Sequence, residues 1–135
     1  MISNNEIQEA LITKLKAETT VLAELSDTNE IREDQWQGSA FSYPAIRVRM
    51  YSNSPLENSD CDQTKIRVGL EVFSEDASSQ QADTIAGIIH DELHDKPFSQ
   101  GSLLIALRTN DLIPATRSNM RTWKSEVLMN GIASG

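Results

Sequence analysis

Cysteine is nearly absent from this chain. The single thiol among 135 residues, Cys61, cannot close an intrachain disulfide, so a disulfide-stapled scaffold is excluded and a reducing compartment suits it. Histidine is almost as scarce, with only His90 and His94, so no three-histidine metal centre can be built. The six glycines are scattered and form no loop that could cradle a phosphate. No apolar run approaches the roughly 20 residues a membrane helix requires. The opening residues, MISNNEIQEA, have neither the basic flank nor the apolar centre of a secretion signal. Positive charge is in deficit too: 12 Lys and Arg against 20 Asp and Glu leave a net charge of -8. Such a chain repels nucleic acid at long range, which disfavours a general DNA- or RNA-binding role.

What is present suits one globular domain spanning residues 1–135. Hydrophobic residues make up 39% of the chain and charged residues 24%, enough to bury one core. No repeat and no Gly/Ser- or Pro-rich linker divides it. Ser3 and Glu6 have the spacing of a capping box. After them Ile7, Ala10, Leu11 and Leu15 recur at helical spacing, and the run Thr19-Thr20-Val21 predicts a break. Residues Ser26 to Ser42 read as a long polar loop carrying Trp36, which either folds back as a lid or stands out as an interface anchor.

Two strands follow. YPAIRVRMYS alternates Ile46, Val48 and Met50 against Arg47, Arg49 and Tyr51, with Pro44 at its start. TKIRVGLEVFS sets Ile66, Val68, Leu70 and Val72 against Lys65, Arg67, Glu71 and Phe73. The turn-rich link between them predicts an antiparallel hairpin. Ser78 and Gln81 repeat the capping-box spacing before a helix whose buried stripe is Ala82, Ile85, Ala86, Ile89 and Leu93, and Pro97 stops it. SLLIALRTNDLIP fits either a short helix or a strand, within a poorly patterned stretch from Ser99 to Asn119. MRTWKSEVLMN reads as a last strand with Trp123, Ser125, Val127 and Met129 on one face. The expected fold is α+β, a small mixed or antiparallel sheet of about four strands with amphipathic helices on one face.

The stretch HDELH, residues 90–94, is one residue from the zinc-protease pattern His-Glu-x-x-His. Asp91 is a methylene too short to reach a metal-bound water as general base. A third ligand is also missing, and the helical wheel places both histidines toward the outer face. Cys61 lies between Asp60 and Asp62, which disfavour a reactive thiolate. No Gly-x-Ser-x-Gly elbow is present. The residues therefore point away from catalysis, with no metal and no cofactor expected; a small zinc hydrolase using His90 and His94 is the alternative from a different class, and a generic adaptor domain is a third reading. Arg47, Arg49 and Arg67 project from the sheet opposite its apolar side, as a charged face that discourages aggregation or as a docking face. Acids dominate from Glu6 to Asp34, whereas Arg117, Arg121 and Lys124 bias the last segment toward base. That asymmetry suits contact between copies.

The order of these elements resembles a known family. An amphipathic helix, a polar loop, YPAIRVRM, a turn-rich link and TKIRVGLEVFSEDASSQQADTIAGIIHDEL are similar to the tail terminator, or tail-to-head joining, proteins of long-tailed bacteriophages, including λ tail protein U and its relatives. The likeness runs from Glu6 to Met129. It implies a structural virion protein, assembled in the host cytoplasm, that forms a ring, typically a hexamer, on the end of the tail tube. It implies partners in the tail tube protein and a head-completion or connector protein, DNA passing through the lumen without specific binding, and no membrane. A head-completion or neck protein is the near alternative. Trp36, Arg47, Arg49 and Arg67 are the interface candidates.

Overall fold

The structure is a computed structural model and describes residues 2–34, 42–56 and 62–135. Helix α1 spans Asn4–Ala17. Its N-cap is Ser3, whose hydroxyl accepts from the Glu6 amide while the Glu6 carboxylate accepts from the Ser3 amide, so the capping box forms as the spacing predicts. The helix breaks at Glu18, and a one-turn helix, α2, covers Thr19–Leu22. A 3₁₀ turn, Thr28–Glu30, leads into strand β1, Ile31–Glu33. The remaining elements are β2 (Ala45–Pro55), β3 (Gln63–Ser74), α3 (Gln80–Leu93), β4 (Phe98–Gln100), β5 (Leu103–Arg117) and β6 (Trp123–Ser134).

Six strands form one mixed sheet in the order β1-β2-β3-β6-β5-β4. β1 runs parallel to β2, and every other pair is antiparallel. The α+β architecture is as expected, but the sheet has six strands rather than about four. Two of the added strands have three residues each, too few to show a period. One of them, β1, lies inside the segment the sequence suggests is all loop. Residues 99–119 resolve as strand, chiefly the 15-residue β5.

The helices cover one face of the sheet. Ile7, Leu11 and Leu15 of α1 and Ala82, Ile85, Ile89 and Leu93 of α3 are buried against Ile46, Val48, Ile66, Leu70, Val72, Val127 and Met129 of the sheet. These are the stripes and alternating positions predicted from the sequence. The second capping box does not form. The N-cap of α3 is Ser79, whose side chain makes no cap bond, and Gln81 Oε1 instead accepts from Ser74 Oγ at 2.5 Å. Ser78 Oγ accepts from the Gln80 amide in a local turn.

Candidate functional site

The sheet face turned away from the helices carries the polar members of each alternating strand, and register places them side by side. Arg47 of β2 faces Glu71 of β3, and Glu71 faces Glu126 of β6. Alternation alone makes these solvent positions, yet Arg47, Glu71 and Glu126 are all buried, as is Glu30. Burial of charge is tolerated only when each group is paired and hydrogen-bonded. Arg47 Nη2 lies 3.0 Å from Glu30 Oε2, and its Nη1 donates to the carbonyls of Glu30 (2.6 Å) and Ile46 (3.0 Å). The side chain therefore fastens the entry to β1 onto β2.

Glu126 is held from the other side. Its Oε2 accepts from Tyr51 Oη at 2.5 Å. Burial, followed by this bond, pushes the tyrosine hydroxyl up to about 12. Tyr51 reaches Glu126 by crossing Gly69, where an added Cβ would lie 2.5 Å from the ring and 2.3 Å from Glu126 Oε2. The third buried carboxylate, Glu71, pairs with Lys124 Nζ at 2.6 Å. Burial, and then its hydrogen bond with Asp34, nevertheless raise its pKa from 4.5 to about 7.

That shift has a sign. A carboxyl raised in the folded state binds its proton better there than in the unfolded chain. Its contribution to stability is complete below pH 4.5 and is lost as pH rises through about 7. We expect Glu71 to account for a loss of about 2 to 3 kcal/mol across that window. Urea midpoints of the native chain and Glu71→Gln, taken at several pH values, isolate it: the two curves should converge at the acid end and separate above neutrality. Parallel curves would contradict the assignment.

His90 and His94 stack with ring centroids 4.7 Å apart. They do not stand free on the outer face of α3, as the helical wheel suggests. His90 Nδ1 is 2.6 Å from Thr109 Oγ1, and His94 Nδ1 accepts from the Thr109 amide at 2.9 Å. His94 Nε2 lies 3.3 Å from Asp95. Nearby, Asp83 Oδ1 accepts from the Ala115 amide at 2.8 Å. Side chains of α3 and of its C-cap, His94, thus occupy edge amides of β5 beyond the point where β4 stops pairing, which blunts an edge that could otherwise recruit another strand. This use of both imidazoles opposes the zinc-hydrolase alternative. Among the described residues, no group of three or more His, Cys, Asp and Glu is placed to hold a metal ion.

The sequence-derived interface candidates separate. Trp36 lies outside the described residues, as does Cys61. Arg47 is consumed by the buried pair with Glu30. Arg49 and Arg67 are exposed, and the Arg49 guanidinium sits 4.7 Å above the Tyr51 ring. Arg67 lies in one row with Asn130 and Arg108 across β3, β6 and β5. Beside that row runs an open groove of about 760 Å³ whose walls include Leu56, Lys65, Arg108, Asn130, Gly131 and Ile132. Leu56 and Ile132 are exposed apolar residues. Neither strand alone reveals this groove, because it depends on the register that sets Lys65 opposite Ile132.

Comparison with known proteins identifies the pattern. A family model described as Tail completion protein gp17 matches residues 9–123. A search of curated proteins finds no match. Among solved structures, a chain titled "Virion of native gene transfer agent (GTA) particle" is similar at a TM-score of 0.74 and 14% identity, over 96% of this chain and 95% of that one. A second solved chain gives a TM-score of 0.59 at 14% identity, covering 99% of this chain and 96% of that one. At such identities the two likenesses concern the fold.

Proposed function

This chain belongs to the Tail completion protein gp17 family, whose members are structural rather than catalytic, and on that premise we propose that it closes the end of the tail tube as a ring and joins the finished tail to the head. The family match over residues 9–123 carries the reading. The similar chain in a gene transfer agent virion supports a place in a virion-like particle. The proposed partners are further copies of itself in a ring, typically a hexamer, the tail tube protein on one side and a head-completion protein on the other. The whole chain acts as one unit at the head-tail junction.

The charge distribution supports the same role. Opposed faces of unlike charge suit a heterologous contact, which closes into a ring when the rotation between copies allows. A net charge of -8 suits a wall past which DNA slides without sticking. Electron microscopy of lysates lacking this protein tests the joining role. Filled heads and separate, headless tails should accumulate, and added purified protein should restore joined particles. Normal joined particles in its absence would contradict the reading.

A further inference from the structure

Charge is segregated between the two layers of the fold. Residues 3–27 and 75–93, which contain the three helices, hold ten carboxylates and two lysines, a deficit equal to the net charge of the whole chain. The remaining residues are balanced, and on the sheet's outer face the exposed positions favour base: Arg49 on β2, Lys65 and Arg67 on β3, and Arg108 on β5. Among the described residues, Arg108 pairs with Asp95 at 3.0 Å, while no ion pair engages Arg49, Lys65 or Arg67. Leu56 and Ile132 give the groove beside them apolar walls. A phosphate backbone would use the bases but leave those walls wet. A helix with carboxylates flanking a partly apolar stripe would use both.

We infer that this groove and its basic rim receive the acidic helical layer of a second copy of the chain. The helical layer offers the matching surface. Glu9 on α1 and Asp91 on α3 are exposed, and Ile12 and Ile88 beside them are only partly buried. Because the receiving face and the inserting face lie on opposite sides of the fold, every copy can do both, and the contact runs head to tail. The edge of β5 is a poorer contact, since His94 and Asp83 already hold its amides. The inference rests on the ring reading only for the number of copies that close the assembly.

Two charge-reversed variants test it. Arg49→Glu with Arg67→Glu turns the exposed arginines of the sheet face into acids, and Glu9→Lys with Asp91→Lys turns the exposed acids that would meet them into bases. All four positions are exposed, so thermal unfolding should stay close to that of the native chain. By native mass spectrometry, on the protein alone and on isolated tail tubes, each variant by itself should lose ring assembly by about tenfold or more, because like charges are brought together. The two variants mixed in equal amounts should recover a ring of alternating copies, since the reversed positions again meet unlike charges. Recovery on mixing supports the inference. Rings formed by each variant alone would overturn the face assignment while leaving the ring reading intact. Loss of DNA binding with unchanged rings would overturn it in favour of a nucleic-acid face. A native chain that forms no ring even on tubes would remove the ring reading, and this contact with it.

Discussion

Arg47→Ala is expected to cost about 3 to 5 kcal/mol of folding stability, the range for removing one partner of a buried ion pair. The loss comes mainly from what remains. Glu30 is only 1% exposed, and without the guanidinium its carboxylate is left buried opposite Arg32, whose Nε is 3.9 Å away. The carbonyls of Glu30 and Ile46 lose their donor as well. Lysine should not rescue the site, because one ammonium cannot reproduce the planar fork that serves a carboxylate and two carbonyls together. Arg49→Ala, one pleat away and exposed, should cost less than about 1 kcal/mol. Urea midpoints at constant m-value check both. Equal midpoints for the two variants would show that the buried pair does not hold β1 in place.

Gly131→Val is expected to be at least as damaging, at about 3 kcal/mol or more. A Cβ at Gly131 would sit 2.0 Å from the Ala106 carbonyl oxygen and 2.7 Å from Leu107 Cδ2. The first of these neighbours is backbone, so β5 and β6 would have to separate where they pair. Gly69 provides the contrast. Its nearest obstacles, Glu126 Oε2 at 2.3 Å and the Tyr51 ring at 2.5 Å, are side chains that can turn aside. Gly69→Ala should therefore break the Tyr51–Glu126 bond at a smaller cost. Thermal unfolding distinguishes the pair: the variant at Gly131 should melt well below the one at Gly69, and the reverse order would contradict this account of the close approach.

Much of the helix-facing side of the fold is legible in the sequence, because burying one face of a helix or strand imposes a period. The stripes from Ile7 to Leu15 and from Ala82 to Leu93, and the alternation of Ile46, Val48, Ile66, Val68, Leu70 and Val72, carry that signal. The other side is harder to read. Arg47, Glu71 and Glu126 occupy outward positions and look like surface; they are buried because they lie beside one another and beneath neighbouring side chains, which only register decides. β1 and β4 are too short to show alternation. β5 hides for another reason: beyond Leu107 both of its faces are largely exposed, Pro114 interrupts it, and its pairing with β6 shifts twice. Spacing misled at Ser78 and Gln81, where the motif is present but the helix starts one residue later. The histidines illustrate the same limit. Four-residue spacing on one helix permits a shared metal, but their partner is Thr109 on a strand that the sequence barely marks.

The family relationship and the two-faced charge pattern converge on an assembly protein, and the act we propose for it is termination of the tail tube. The most direct measurement is the length of tail tubes polymerised from purified tube protein, scored by electron microscopy with this protein added during growth. Growth should stop soon after addition, leaving shorter tubes with a ring of density at one end. Tubes that keep elongating to the length reached without it, with bare ends, would contradict the account.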